Sequence, residues 1–259
     1  MARIALGIEY DGRAFHGWQR QAGLLTLQEA LEAALGRIAD HPVASTCSGR
    51  TDTGVHASNQ VVHFDTEAGR PLSAWVRGVN SHLPDAMAVR WVREVDEGFH
   101  ARYSAYRRRY RYLLLNRPQR PGLWAGRVGW FHRPLALAPM REAARCLLGE
   151  HDFSAFRAAE CQAKTPIKLL TRAEVRQEGD LFIFDFEANA FLHHMVRNLV
   201  GNLVFIGKGG WPPEHLQKVL ESRDRRQAAM TFAPDGLYFL GPLYEPRYAI
   251  PEEAGLSLF

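Results

Sequence analysis

Strand-like and helix-like segments alternate along this chain in two successive sets, and this order restricts it to a fold that combines sheet and helix. In the first set, residues 3–10 alternate like a strand. Thr26 and Glu29 then have the spacing of a capping box that starts a helix. The apolar face of that helix would comprise Leu27, Ala30, Leu31, Ala34, Leu35 and Ile38. Strand-like segments follow at 43–48, 58–65 and 86–95, with a helix predicted over 73–82.

The second set begins at the segment 102–115, whose tyrosines and alternating pattern favour a strand. Strands predicted at 167–177 and 181–189 flank Glu178-Gly179-Asp180, which is a hairpin signal. Helices are predicted at 139–148, 191–206 and 213–222. The order of elements predicts an α+β fold with two halves, which we assign to residues 1–104 and 105–259.

Composition excludes several classes of protein. Apolar residues make up 46% and charged residues 23% of the chain, which is globular rather than disordered composition. No stretch approaches the roughly 20 apolar residues that span a bilayer, and residues 1–10 do not form a signal peptide, so a cytoplasmic protein without a membrane partner is expected. The three cysteines are far apart and lack metal-ligand spacing, which predicts neither a disulfide framework nor a metal site. A net charge of +4 permits a polyanionic partner.

The segment 47–64 contains a compact polar loop between two predicted strands. Gly49 and Gly54 flank Arg50-Thr51-Asp52 and let the backbone turn sharply at a strand end, where catalytic groups are often found. A single carboxylate beside a guanidinium suits nucleophilic or acid/base chemistry. The same spacing also fits an aspartate that only caps a turn.

The segment 99–116 interleaves tyrosine with arginine. On a strand, Tyr106, Arg108, Tyr110 and Tyr112 would face one side and Arg107, Arg109 and Arg111 the other. Tyrosine offers a surface on which a base can stack, worth about 1–3 kcal/mol per base, and arginine engages phosphates. The alternative is a solvated edge strand whose charges prevent aggregation.

The segment 189–209 carries Arg197 on a predicted helix, away from an apolar face formed by Phe191, Met195, Leu199 and Val200. Arg197 is therefore either a cleft-facing residue or an exposed helix charge. His193 and His194 are adjacent and cannot both face one ion from a regular helix, so packing or phosphate contact is expected instead of metal binding.

Taken together, these segments resemble the TruA family of tRNA pseudouridine synthases. The resemblance covers nearly the whole chain and is carried, in order, by ALGIEYDG, FHGWQRQ, GRTDTGVHA, GVNSHLP, FHARYSAYRRRYRY, FLHHMVRN and DGLYFLGP. It implies two ferredoxin-like α/β halves that form one continuous, mostly antiparallel sheet with a central active-site cleft. It also implies a homodimer that acts on the anticodon stem-loop of tRNA.

The resemblance implies a role for several residues. Asp52 would be the essential carboxylate, Tyr110 would stack on the target uracil, Arg197 would pair with Asp52, and Arg50 would help to take the base out of its stack. An RNA-contacting stretch would comprise Phe99, His100, Ala101, Arg102 and Tyr103, where relatives commonly have phenylalanine in place of Tyr103.

The reaction implied is the isomerisation of uridines 38, 39 and 40 of tRNA to pseudouridine, which requires no cofactor and no metal. The target nucleotide must be flipped from its stack at a cost of a few kcal/mol. Two other functions remain open on the residues alone. A non-catalytic RNA-binding module would tolerate the loss of Asp52, and a metal-dependent nuclease would need several clustered carboxylates.

Overall fold

The computed structural model describes residues 1–252 and contains four α-helices and ten strands among them. The helices are α1 (Leu27–Ala39), α2 (Leu137–Ala144), α3 (Met195–Gly207) and α4 (His215–Ser222). The strands are β1 (Ala2–Tyr10), β2 (Thr46–Cys47), β3 (His56–Thr66), β4 (Met87–Val95), β5 (Ala105–Asn116), β6 (Gly129–Phe131), β7 (Gly149–Asp152), β8 (Ile167–Glu178), β9 (Leu181–Ala188) and β10 (Leu237–Tyr244). No helix within residues 1–252 is long and apolar enough to cross a membrane.

Contacts divide the chain into two compact units. Among the described residues, the first contains Met1–Arg107 together with 238–252, and the second contains Arg108–Leu237. This grouping assigns β10 to the first unit, whereas the division predicted at 104/105 assigned it to the second half. The predicted division stays a prediction, and the last seven residues of its second half, 253–259, lie outside the described residues.

The first unit is built around β1, which pairs antiparallel with β3 on one side and β4 on the other. β10 pairs with the start of β3 in parallel, and the short β2 pairs with its later part. The predicted apolar face of α1 is confirmed, because Leu27, Leu31 and Leu35 are fully buried. The first N–H groups of α1, those of Leu27 and Gln28, donate to the carbonyls of residues 17 and 18 at 3.1 and 3.0 Å.

The second unit is built around β9, which pairs antiparallel with β5 and β8. β7 extends the sheet beyond β8, and β6 lies parallel to β5. The buried apolar residues of this unit include three phenylalanines of β9 and three residues of α3, namely Phe182, Phe184, Phe186, Met195, Leu199 and Leu203. The α+β class and the mostly antiparallel pairing predicted from the sequence are confirmed.

Several predicted elements differ in detail. Thr26 is the N-cap residue of α1, but its side chain makes no capping hydrogen bond, because backbone carbonyls already accept the first N–H groups of the helix. The helix expected over 73–82 is present as a helical segment over residues 72–80, whose centre, Ala74–Gly78, is π-helical. The helix expected from 191 begins at Met195, since His194 adopts a left-handed conformation with φ of 60°. The hairpin is confirmed, with Gly179 at φ of 58° in its turn.

Candidate active site and RNA-contacting segments

Asp52 lies half-buried in the loop that joins β2 to β3, as the sequence predicted. The carbonyl of Asp52 accepts a hydrogen bond from the amide of Val55 at 3.1 Å, which closes a tight turn. Gly54 stands within that turn at φ of 80°, a conformation that favours glycine. Arg50, in the same loop, is exposed. The loop therefore presents a carboxylate and a guanidinium from a sharply folded backbone.

A network of buried polar side chains supports this loop from the sheet. The hydroxyls of Tyr10 and Thr51 are 2.7 Å apart, and Gln60 donates to the carbonyl of Gly49 at 2.5 Å. Ser48 donates to the other end of the Gln60 amide at 2.7 Å. All four side chains that form these bonds are buried. Because an unsatisfied buried polar group costs about 1–3 kcal/mol, the network favours one position of the loop.

The N-terminal segment 11–18 holds the loop from a second direction. The amide of Trp18 donates to the carbonyl of Thr51 at 2.9 Å. Gly17, at φ of 81°, packs so closely that a Cβ atom there would lie 2.9 Å from the same carbonyl oxygen. A Cβ atom on Gly12 would lie 2.0 Å from the carbonyl oxygen of Val55. These glycines are therefore required for the close approach of two backbones.

A charged cluster lies where β3 begins. His56 is buried, its Nδ1 accepts from the amide of Gly12 at 3.2 Å, and its ring stacks on Tyr238 with centroids 4.7 Å apart. Burial raises the pKa of Asp11, but hydrogen bonds from the side chain and the amide of Arg13 lower it to about 2. Asp11 is therefore a carboxylate at neutral pH and fixes the turn through Arg13.

Five residues support the site but were not predicted to do so: Tyr10, Gly12, Gly17, Trp18 and Gln60. The motifs YDG and HGW were quoted for the family resemblance, but their spacing gives no sign that they meet a loop some 40 residues later. The one usable signal was the presence of glycines beside aromatic residues outside any predicted turn.

Residues of the stretch 99–103 differ sharply in exposure. Phe99 and Ala101 are fully buried in a hydrophobic cluster with Tyr244, so they shape the segment from inside the first unit. Tyr103 is 76% exposed, stacks against His100 with centroids 4.3 Å apart and has Arg102 at 5.7 Å from its ring centroid. RNA contact by His100, Arg102 and Tyr103 stays a prediction.

Two histidines hold this stretch in place as hydrogen-bond acceptors. Nδ1 of His63 accepts from the amide of Ala101 at 3.2 Å, and Nδ1 of His100 accepts from the amides of Arg102 and Tyr103. Burial lowers the pKa of His63, and the charges of His100 and Arg3 lower it further, to about 4. Burial likewise lowers the pKa of His100. Both rings are therefore neutral near pH 7, as accepting through Nδ1 requires.

Positive charge gathers near the Asp52 loop within the first unit. Burial raises the pKa of the Cys47 thiol to about 12, although the cations of Arg50 and Arg102 act on it in the opposite direction. Arg50 and Arg102 are thus both close enough to Cys47 to influence it electrostatically. Both of these predicted site residues are exposed on the first unit.

The strand predicted over 102–115 is confirmed as β5. Arg111 lies opposite Asp185 of β9 and forms an ion pair with it at 2.7 Å, and Asp185 also pairs with Arg176. Tyr112 is fully buried and donates to the carbonyl of Ala233 at 2.8 Å. Arg111 therefore forms a largely buried ion pair. Its guanidinium is less available to RNA phosphates than the sequence pattern suggested.

The remaining predicted residues of this strand are half-buried. Tyr110 has its ring edge-on to Phe191, with centroids 5.0 Å apart. Arg107 lies 5.9 Å from the ring centroid of Tyr106, which is itself 47% exposed, and Arg109 is half-buried. Their contacts with RNA stay predictions.

Arg197 lies in the first turn of α3 and is half-buried. Its Nε donates to the carbonyl of Phe232 at 2.8 Å, and the amide of Phe232 donates back to the carbonyl of Arg197 at 3.2 Å. This segment is held against α3 by buried Asn198 and Asn202, which bond to Thr231 and to the amide of Ala229. The guanidinium therefore has a fixed direction. Its predicted pairing with Asp52 joins residues of different units and stays a prediction.

The two adjacent histidines precede α3 instead of lying on it. Their rings are 4.0 Å apart with an interplanar angle of 36°. His194 is the left-handed residue at the helix N-cap, so the expectation that both stand on a regular helix was wrong.

Comparison with known proteins assigns the chain to a family. The family model described as tRNA pseudouridine synthase matches residues 7–104 and 143–245. The chain is 67% identical over 250 residues to tRNA pseudouridine synthase A of Dechloromonas aromatica, covering 96% of this chain and 95% of the relative. It is 61% identical over 251 residues to the protein of the same name from Aromatoleum aromaticum (97% and 95%), and 58% identical over 254 residues to that of Thiobacillus denitrificans (98% of each).

A match of this extent defines the class as isomerases that act on tRNA. The chain belongs to the TruA family of tRNA pseudouridine synthases, whose members isomerise uridine to pseudouridine in tRNA.

Proposed function

We propose that this protein isomerises uridines 38, 39 and 40 in the anticodon stem-loop of tRNA, with Asp52 as the catalytic residue. The observation that carries the proposal is the Asp52 loop, which a buried network holds in one conformation within a chain of this family. Such a network is more than a turn-capping aspartate needs, because a cap requires only local backbone contacts.

The reaction breaks the bond between N1 and C1′, turns the uracil and joins C5 to C1′. The proton on C5 is lost and N1 gains one, so the composition does not change. The nucleotide must first leave its stack, at a cost of a few kcal/mol. Arg50 is exposed at the edge of the loop and is suited to occupy the vacated space, and Tyr110 would stack on the extruded base.

Asp52 must act as a carboxylate in this reaction. Arg197, whose direction is fixed by Phe232, would pair with it and favour its charged form. Asp52 would then attack the sugar or the base as a nucleophile, or stabilise a glycal-like intermediate. In the last case Tyr110 is suited to act as the base at C2′.

Binding of the tRNA would rely on shape and phosphate contacts, since several tRNAs of different sequence must be accepted. Exposed Arg102 and Tyr103 of the first unit and the half-buried Arg107 and Arg109 of β5 are the groups suited to this. We further propose that the enzyme is cytoplasmic and forms a homodimer. Light scattering of the purified protein would test the homodimer.

The test is to incubate the protein, without metal or cofactor, with an unmodified tRNA transcript that has uridines at 38–40. Pseudouridine is mapped by carbodiimide-dependent stops of primer extension. We expect stops at those positions with the wild type, none with Asp52→Asn, and wild-type levels with Asp40→Asn. Asp40 is a matched control because it is exposed and left-handed after α1, a conformation that asparagine tolerates.

Two results would overturn the proposal. Tight tRNA binding without stops would indicate a binding module or a different RNA target. Shortened RNA on a denaturing gel would indicate a nuclease.

A further inference from the structure

The chain contains a long tract without acidic residues. Residues 98–141 include ten arginines and no aspartate or glutamate, although the whole chain has 28 acidic residues among 259. Five of these arginines lie in the segment 99–111 already assigned to RNA. Four others belong to residues 117–133, called here the Arg/Trp segment, together with Trp124, Trp130 and His132. The family model does not match this part of the chain.

The Arg/Trp segment is fixed to the second unit at both ends. Its later part forms β6, which lies parallel to β5. Asn116 donates to the carbonyls of Phe131 and Arg133 at 2.9 and 2.6 Å. Trp130 donates through Nε1 to the carbonyl of Arg117 at 2.9 Å, which ties the two ends together. The segment is therefore an ordered surface feature with defined anchors.

Three of its arginines can be compared with three exposed arginines of the same unit that do have carboxylate partners. Arg172, Arg223 and Arg226 lie within 4 Å of carboxylates, those of Glu174, Asp152 and Asp224 respectively. Within residues 1–252, Arg117, Arg120 and Arg133 form no ion pair. The charge of these three side chains is therefore not compensated by a neighbouring carboxylate.

Aromatic surface lies among these charges. Trp130 is 38% exposed, although its polar edge is occupied by Arg117, and exposed His132 lies with its ring centroid 6.0 Å away. Leu123 is 90% exposed. Uncompensated arginines beside accessible rings are typical of surfaces that bind nucleic acid, because arginine neutralises phosphates and rings stack on bases or sugars.

We infer that the Arg/Trp segment is a second tRNA-binding surface, additional to the segment 99–111. Arg117, Arg120 and Arg133 contact backbone phosphates of the substrate, and Trp130 packs against it. The inference rests on the proposed function for the identity of the RNA. It gives the segment a role in affinity and none in the chemical step.

The test compares two triple variants of equal charge. One is Arg117→Gln/Arg120→Gln/Arg133→Gln, and the control is Arg172→Gln/Arg223→Gln/Arg226→Gln, which removes three arginines that already have carboxylate partners. The dissociation constant for unmodified tRNA is measured by filter binding over a series of KCl concentrations, and the single-turnover rate is measured at saturating enzyme.

The first variant is expected to bind about tenfold more weakly at 0.1 M salt. The logarithm of the binding constant falls linearly with the logarithm of the salt concentration, and this slope should be smaller in magnitude by roughly two to three. Each lost phosphate contact reduces the magnitude of the slope by about 0.9. The control should bind within about twofold of wild type, and both variants should react at the wild-type single-turnover rate. Trp130→Leu should weaken binding about fivefold with an unchanged slope, since stacking does not release counterions.

Equal affinity of the two triple variants would overturn the inference, as would an unchanged salt slope in the first. Failure of the proposed function gives a different result. In that case the wild type forms no pseudouridine, whatever the two variants do to binding.

Discussion

The Asp52 loop and the Arg/Trp segment are constructed in opposite ways. The loop rests on Tyr10, Thr51 and Gln60, all buried, with hydrogen bonds of 2.5 to 2.7 Å. The Arg/Trp segment is anchored by hydrogen bonds of Asn116 and Trp130 and presents Arg117, Arg120 and Arg133, which form no ion pair within residues 1–252. The first arrangement fixes the position of one side chain, whereas the second spreads positive charge over a surface.

The difference follows from what each region must do. A displacement of a reacting group by about 1 Å can cost about 10²-fold in rate, so a catalytic carboxylate needs a rigid support. Attraction to phosphates extends over roughly 10 Å at moderate salt and tolerates such a displacement. Salt, charge and hydrogen-bond variants should therefore affect the two regions separately.

A change in salt concentration should give the largest difference between tRNA binding and the chemical step. Raising KCl from about 50 to about 200 mM is expected to weaken binding of unmodified tRNA by about 10³-fold or more, since several phosphate contacts are lost together. The single-turnover rate at saturating enzyme should change by less than about threefold. Filter binding and rapid-quench assays measure the two quantities. A flat salt dependence of binding would contradict the assignment of the arginine-rich surface.

Removal of Arg197 should act on chemistry alone. Arg197→Met is expected to lower the single-turnover rate by about 10²-fold, a typical loss for one group that stabilises charge at a reacting centre. The control is Arg141→Met on α2, because Arg141 also donates through Nε to a backbone carbonyl, that of Val175, at 2.8 Å. Equal rates for the two variants, at similar melting temperatures, would show that Arg197 has only a packing role.

The hydroxyl pair beneath the loop should have a smaller effect. Tyr10→Phe and Thr51→Val are each expected to lower the single-turnover rate about tenfold, because the loop loses one fixed support. Thr51→Ser, which keeps the hydroxyl, should restore most of the rate. Thr66→Val removes an equally buried hydroxyl at the far end of β3 and should leave the rate within about twofold. If all four variants react alike, the network does not position Asp52.

The smallest expected effect is on the pH dependence of the free energy of unfolding, and it arises where His63 holds the stretch 99–103. The pKa of His63 falls from 6.5 to about 4 on folding, so between these values the unfolded chain binds a proton that the folded chain does not. The free energy of unfolding must therefore decrease as pH falls through this window. His63→Asn, which can accept from Ala101 but does not titrate, should lose less stability between pH 7 and pH 4.5. The expected difference is roughly 1 kcal/mol in urea titrations, reduced by solvent screening. Equal losses would contradict the neutral role of His63.

Elements with a clear period were predictable from the sequence. β1, α1, β4 and the β8–β9 hairpin lie close to their expected positions, because each has alternation, an amphipathic face or a turn signal. β10 was not predicted. All eight of its residues are buried, so it shows no alternation, and Gly241-Pro242 within it is unusual for a strand. β6 and β7 are too short to produce a pattern.

The candidate site could be predicted only in part. The position of Asp52 in a strand-end loop followed from local glycines and strands. The bonds from Tyr10 and Gln60 depend on which strands lie side by side, and local periodicity does not determine that. The burial of Phe99 and Ala101 could not be predicted for the same reason. Tyr244, which packs against them, lies more than 140 residues later in the chain.

The pairing of β10 with β3 also sets an order of events on the ribosome. Tyr238 and Phe239 lie beside His56 and Ala57, yet the 130 residues from 108 to 237 are translated between the two parts of the first unit. At about 5–20 residues per second, that interval lasts roughly 7–26 s. During this time the start of β3 lacks its later partner strand, while the sequence of the second unit is being completed. The unit that carries Asp52 is thus begun first during synthesis and completed last.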